Sequence, residues 1–440
     1  MNKHKSVVLS SGISMMLMLS ACGGTSGKGG DNGTTVSPER GKEPVELTIV
    51  TNAGHSEDAF NARFGDSIRK KFPNYTIKYI PNQAVKFADL VPTNTQVDIV
   101  YAAINDFMNG PVKSGMAYDM RELIKKHGVD TGRVGMDWVA GLSQMWDNKI
   151  YGLPISLEAL TLFYNKDIFD KFGVLYPKDG MTWDNVLDLN QKLTRVDQGV
   201  QYAGITISPA QHFSLSSLSV PYYDSKTGKS TLGSEEAKWK LLYETIAVKP
   251  LQAPGYKDKV TALKGTLPAE VNFLKDRSVA MAANLAHLPL NAMEMKEMNW
   301  DMVSYPTYKE APGLGSQANL LLFGVTNMSK HKDEAMEVIQ YLYSDEFQTI
   351  TSRDGNIPAV ISDERIKQYA QNTYFKDRNV KAVFHLKFAP LSTRTLYDPD
   401  LSPIYRKYIN NLATGEMDLN SMMRKVEEEA EKAITAIKNR

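Results

Sequence analysis

The sequence has a single cysteine, Cys22, in 440 residues, so no disulfide can form within the chain and no thiolate cluster is available for a structural zinc. Histidine is sparse as well: the seven are scattered from His4 to His385 without paired ligand spacing, so neither a metal nor a cofactor is expected. Net charge is almost absent. With 51 Lys+Arg against 50 Asp+Glu, the chain lacks the basic footprint of a nucleic-acid binder, and no nucleic acid is expected as a partner. G-x-S-x-G, H-E-x-x-H and Gly-rich phosphate loops are also missing, which argues against an enzyme. Long apolar runs are missing except for one near the start, VVLSSGISMMLML at 7–19. It follows Lys3, His4 and Lys5 and falls short of the roughly 20 residues that span a bilayer, so it reads as the apolar region of a secretory signal.

Small residues lead from this run into Cys22, and Leu19-Ser20-Ala21-Cys22 resembles the bacterial lipobox. That resemblance implies a signal peptide at 1–21, a lipid on the Cys22 thiol, and anchoring at the extracellular face of the cell membrane. The competing reading, an isolated buried thiol packing as a small hydrophobe, has only glycines beside it to do the burying. From Gly23 to Pro44 there is almost no apolar side chain to offset the entropy of ordering, so 22–44 reads as a lipidated flexible tether.

Beyond the tether the chain alternates strand and helix patterns. A β-branched run from Glu46 to Asn52 precedes a helix with Ser56 at its N-cap and Phe60, Phe64 and Ile68 on one face. Strands follow at Tyr75–Ile80 and Val97–Tyr101. Strand, helix, strand implies a parallel sheet with a crossover. Further strands are expected at Leu160–Tyr164, Ala203–Ile207, Ser278–Ala283 and Asn319–Val325. Thr182 can cap a helix that turns Trp183, Val186, Leu187 and Leu193 inward, and Asp418 can cap a last helix striped by Leu419, Met422, Met423, Val426, Ala430, Ile434 and Ile437. The fold class is α/β.

Four stretches carry a resemblance to the solute-binding proteins of bacterial ABC importers, in particular the carbohydrate-binding group. They are NKIYGLP at 148–154 with LFYNKDIF at 162–169, MTWDNVL at 181–187, FLKDRSVAM at 273–281, and VTNMSK at 325–330 followed by a helix to Tyr343 and GNIP at 355–358. In the third, Asp276 stands where the group usually has glycine. The resemblance implies a two-lobed periplasmic-binding-protein-like fold, each lobe a central sheet flanked by helices, with the ligand cleft between the lobes. The expected division is 45–157 with 312–360 for the N-terminal lobe and 158–311 with 361–440 for the C-terminal lobe. The function implied is capture of a mono- or oligosaccharide outside the cell by a monomer that hands it to membrane permease subunits. Capture of a non-sugar solute such as a peptide, and hydrolysis of a glycan at the cell surface, stand as alternatives.

In open α/β sheets, ligands sit beyond the carboxyl ends of strands. Polar clusters fall at such ends here: Asn52 and His55 after the first strand, Asn105 and Asp106 after the third, Glu158 after the YGLP stretch, and Asn284 and His287 after Met281. Each has a structural reading beside the ligand one. Asn52 suits a turn, Asp106 a helix cap and His287 a satisfied core position, while Glu158, in an apolar context, reads as a ligand contact or a hinge pair. Sugar rings also stack on aromatic faces, for which Tyr222, Tyr223 and Tyr397, the last just before a helix expected from Ser402 to Asn411, are the candidates, loop packing being the other reading for the first two. The two tryptophans that many relatives place at the cleft are replaced by Asn284-Leu285-Ala286-His287 and Ser402-Pro403-Ile404. The five tryptophans present read as core, although Trp146 is near enough to YGLP to reach the cleft.

Overall fold

The computed structural model describes residues 44–51, 55–81, 87–93 and 95–439. Cys22, its tether and Asn52 lie outside them. The first strand, β1 (Val45–Thr51), buries Leu47, Ile49 and Val50. A helix then runs through 57–71, opened by Ser56 accepting the Ala59 amide at 3.2 Å and widened to one π-helical turn at Asn61–Gly65. Phe60, Phe64 and Ile68, four residues apart, are each essentially fully buried along its inner face.

Two strands, β2 (Tyr75–Ile80) and β3 (Ile99–Ala103), pair in parallel with β1 on either side, as the strand–helix–strand pattern implied. Their register places Ile49 beside both Tyr79 and Ile99. β3 begins two residues later than the Val97 start expected from composition. The carboxylate of the fully buried Asp98 accepts from the Thr48 amide (2.8 Å) and from Ser329 Oγ (2.6 Å), beside main-chain bonds from its amide to the Thr48 carbonyl (2.9 Å) and from the Thr326 amide to its carbonyl (3.1 Å).

After β4 (Leu153–Glu158) a single buried residue, Ala159, separates it from β5 (Leu160–Asn165), which belongs to a different sheet. The chain continues through β6 (Arg195–Asp197), β7 (Val200–Ile207), a hairpin of β8 (Tyr223–Asp224) and β9 (Lys229–Ser230), β10 (Val279–Leu285) and β11 (Trp300–Ser304). It then forms β12 (Leu314–Gln317), β13 (Asn319–Val325), β14 (Ile357–Pro358) and β15 (Lys387–Ala389). Among the described residues the first sheet has the order β14-β4-β13-β3-β1-β2 and the second β11-β5-β10-β7-β6, while β12 pairs with β15. Both sheets are mixed: β13 is antiparallel to β3 and to β4, and β10 is antiparallel to β5 but parallel to β7.

Each sheet forms the centre of a helix-flanked lobe. On the second, Thr182 opens the helix Trp183–Leu193 with a reciprocal capping box to Asn185, and Trp183, Val186, Leu187 and Leu193 are buried. The last helix, Leu419–Lys438, starts at the Asp418 cap and buries Met422, Met423, Val426, Ala430 and Ile434. Each large apolar side chain so placed contributes about 1.5–3 kcal/mol. Trp138, Trp183, Trp239 and Trp300 are core residues. Trp146 is also buried, against Phe107 and Tyr151 with its indole N–H on Met108 Sδ, so it is part of the core near YGLP. Among the described residues no helix is long and apolar enough to cross a membrane, and no group of three or more His, Cys, Asp or Glu is placed to hold a metal ion.

Candidate ligand-binding cleft

The first sheet passes into the second where β4 runs into β5, and a second crossing leads from β12, which pairs with β15 outside both sheets, through the buried Ala318 into β13. Glu158, the last residue of β4, lies in register opposite Asn319 and accepts its Nδ2–H at 2.8 Å. The other Glu158 oxygen is 3.6 Å from Nδ1 of His287, just past β10, whose neighbour Ala286 donates its amide to the Ala159 carbonyl at 2.8 Å. Glu158 therefore ties both crossings to the second lobe. Burial is the largest cause lowering the His287 pKa, with the Glu158 charge opposing it.

From the first lobe, Arg63 donates to Ser156 Oγ at 2.9 Å, and its charge is felt by both His55 and His287. His55 Nδ1 lies 3.2 Å from Tyr101 Oη, while Tyr79 Oη donates to the His55 carbonyl at 2.8 Å. Burial first and Arg63 second bring the His55 pKa down to about 4, so its imidazole is neutral at physiological pH.

Two cavities open beside this junction. The larger, about 450 Å³, lies at the carboxyl ends of the parallel strands β7 and β10, the position at which open α/β sheets take ligands. Its lining includes Ser208, Gln211, Glu270, Asn284 and Arg406. Ser208 caps the helix Pro209–Leu215, and Asn284 donates through Nδ2 to Glu270 Oε2 at 2.7 Å. The smaller, about 190 Å³, is lined from the first lobe by Asn105, Asp106 and Asn109 and from the second by Tyr222, Asp398 and Arg406. It is thus an interlobe cavity, and Arg406 borders both. The Asp106 side chain reaches solvent, yet surrounding protein, and secondarily the charge of Glu158, raises its pKa.

Of the residues singled out from the sequence, Asn105, Asp106 and Tyr222 line the smaller cavity, Asn284 lines the larger, and His55, Glu158 and His287 form the junction beside them. Tyr222 offers no open ring face: it is 1% exposed, stacked on Trp239 at 5.5 Å and edge-on to Tyr405 at 5.0 Å. Tyr223 and Tyr397 line neither cavity. They stack on each other at 4.1 Å, with Lys438 Nζ 5.9 Å over Tyr223. Tyr397 directly precedes the helix Asp398–Arg406, which begins four residues before the Ser402 start expected from the sequence. Asn109, Gln211, Glu270, Asp398 and Arg406 were not anticipated. Ser208-Pro209 directly after a strand, a cap and N1 pair at a carboxyl end, is the one local signal that pointed to Gln211.

Four buried side-chain acceptors in the two linings have no hydrogen-bond partner: Asn105 Oδ1, Asn109 Oδ1, Asp398 Oδ2 and Gln211 Oε1. An unpaired buried acceptor costs about 1–3 kcal/mol, and a cavity edged by several of them suits a ligand rich in donors.

Two sheet-centred lobes, joined by short crossings, enclose a polar cleft. The chain belongs to the bacterial extracellular solute-binding proteins, whose family pattern it matches over residues 53–349. Among curated relatives it is 24% identical over 246 residues to a candidate binding protein of Brucella abortus (strain 2308); the match covers 51% of this chain and 54% of that one, so the chain spans about half the length of the curated relatives it matches. Solved structures share the fold. A sugar transporter from Rhizobium etli in an open conformation superposes with a TM-score of 0.66 at 18% identity, over 89% of this chain and 99% of that one. An ABC substrate-binding protein from Listeria monocytogenes in complex with cycloalternan gives 0.66 at 18% identity, over 90% of this chain and 100% of the other.

Proposed function

We propose that this protein is a lipid-anchored receptor that captures a carbohydrate between its lobes outside the cell and delivers it to the permease subunits of an ABC importer. The observation that carries the reading is the polar interlobe cavity lined by Asn105, Asp106 and Asn109 from one lobe and by Asp398, Ser402 and Arg406 from the other, because a saccharide's hydroxyls can both donate to and accept from such groups. The sugars named for structures of the same fold, cycloalternan and mannobiose among them, agree with it. The protein binds as a monomer and performs no turnover. Its lobes divide at 45–157 with 312–360 and 158–311 with 361–440, and the ligand contacts include Asn105, Asp106 and Asn284. Contacts to both lobes favour the closed state by their differential affinity, and the permease reads that state. A micromolar affinity corresponds to about −8 kcal/mol.

Isothermal titration of the purified protein against mono- and oligosaccharides tests this. At least one saccharide should bind without being consumed. No heat across the panel together with binding of a peptide would overturn the carbohydrate reading, and release of cleaved product would overturn the binding-only role.

A further inference from the structure

The junction between the lobes gathers three basic side chains around one carboxylate. From the first lobe come Arg63, which donates to Ser156 Oγ at 2.9 Å while its buried Nε has no partner, and His55, whose Nδ1 lies 3.2 Å from Tyr101 Oη. From the second comes His287, whose Nδ1 stands 3.6 Å from Glu158 Oε1. Glu158 is on the crossing, one residue before Ala159, and its Oε2 accepts from Asn319 Nδ2 at 2.8 Å. Among the described residues it is the one carboxylate whose charge acts on all three bases. The other groups facing the imidazoles are the Tyr101 hydroxyl at His55, itself 3.3 Å from the Tyr79 hydroxyl, and at His287 the Glu270 carboxylate, which already accepts from Asn284 Nδ2 at 2.7 Å. At neutral pH these charges balance, Arg63 against Glu158, with both imidazoles neutral. Burial first and Arg63 second bring His55 down to about 4, and burial lowers His287.

We propose that Glu158 is a positioning residue for lobe closure, offsetting the charge of Arg63 across the junction, and that protonation of His55 and His287 on the facing lobes opens the cleft, so that the solute is held at neutral pH and released in acid. A proton added to either imidazole places a second cation near Arg63, with Glu158 already offset by the first. Closing the lobes takes water out of the junction, and like charges repel more strongly as water leaves. The open form therefore binds the proton more tightly than the closed one, and by linkage acid favours opening.

The separation of the lobes tests this without any solute. Spin labels are placed at two exposed positions on different lobes, Lys70→Cys and Lys240→Cys, in a Cys22→Ser chain, and the distance between them is read by pulsed electron paramagnetic resonance. Lowering the pH from about 7.5 to 5.0 should lengthen the distance in the otherwise wild-type chain and leave it unchanged when His55→Gln and His287→Gln are combined. Glu158→Gln keeps an acceptor for Asn319 but loses the charge, so it should be open already at neutral pH, and adding Arg63→Gln should restore the shorter distance. The saccharide that binds most tightly in titration should lose about tenfold in affinity over the same pH range in the wild type, and no more than about twofold in the double histidine variant. A wild-type distance that ignores pH, a shift that persists without the two histidines, or a Glu158→Gln chain that Arg63→Gln fails to rescue would overturn the inference. If no saccharide binds while the distances respond as expected, the carbohydrate reading falls and this inference stands.

Discussion

Lowering the pH from 7.5 to 4.5 is expected to cost the wild-type chain about 2.7 kcal/mol more folding stability than a His212→Gln variant loses. His212 lies one residue from Gln211 on the helix Pro209–Leu215, but it points into the core: it is 1% exposed and meets the Trp183 ring edge-on at 5.1 Å. Its two nitrogens are held by two tyrosines, Nδ1 at 2.6 Å from Tyr305 Oη and Nε2 at 2.8 Å from Tyr308 Oη. Tyr308 in turn donates to Thr245 Oγ1 (3.0 Å) and Thr245 to the Leu241 carbonyl (2.8 Å). The chain of donors assigns the neutral tautomer: Tyr305 donates to Nδ1 and Nε2–H donates to Tyr308. Protonating Nδ1 would reverse the first of these bonds, leave the Tyr305 O–H without its acceptor and bury a charge, and burial accordingly brings the His212 pKa down to about 3. The unfolded chain, with an ordinary value near 6.5, takes up a proton below that pH which the folded chain refuses. Stability is therefore fully present above about pH 6.5 and falls as the pH drops toward 3, by up to about 1.4 kcal/mol per unit. At pH 4.5 two units of that window have been crossed. His55, also lowered, to about 4, titrates alike in both proteins and cancels from the comparison. Urea unfolding followed by tryptophan fluorescence at several pH values measures the difference. Parallel stability curves for the two proteins would refute the buried neutral imidazole.

Two shorter predictions bear on the first lobe and on the membrane. Gly324→Ala in β13 would place a Cβ 2.3 Å from the Tyr151 carbonyl oxygen and 2.7 Å from the Phe107 ring, neither of which can move without shifting the sheet, so urea unfolding should show a loss of about 2–3 kcal/mol. Cys22→Ser should move the protein from the membrane fraction to the soluble one, since two acyl chains hold stably where an unmodified chain does not; retention in the membrane would show that the apolar run itself is the anchor.

Local pattern made the scaffold legible to a large degree. Asn319–Val325 forms the strand its composition implied, and Thr182 and Asp418 cap the helices they precede, because periodicity and capping act within a few residues. Where the reading slipped, it was at the starts of elements. β3 starts two residues after Val97, although Asp98 just ahead of it already pairs its main chain with Thr48 and Thr326. The helix at 398 starts early because Pro399, which looks like a breaker, occupies its first turn, where a missing N–H costs nothing. The antiparallel placement of β13 between β3 and β4 was not legible, since it pairs residues more than 150 positions apart.

The cleft was legible only where its residues follow strands. Asn105, Asp106 and Asn284 come directly after or at the end of β3 and β10, and the rule about carboxyl ends found them. The aromatic candidates were misleading because stacking is satisfied by whichever ring arrives first: Tyr222 met Trp239, and Tyr223 met Tyr397. Asn109, Asp398 and Gln211 sit in helices, where a polar residue at one position looks the same whether it faces water, core or ligand. What distinguishes them is an acceptor buried without a donor, and for Asn109 and Asp398 that property exists only once both lobes are assembled around it. Folding alone gives no reason to keep such atoms, since each costs stability and an apolar side chain of similar shape would remove the cost. The retention of Asn109 and Asp398 at one cavity, on elements from both lobes, is accounted for if a third party supplies the donors, and a solute bridging the lobes would do so in the act of closing them.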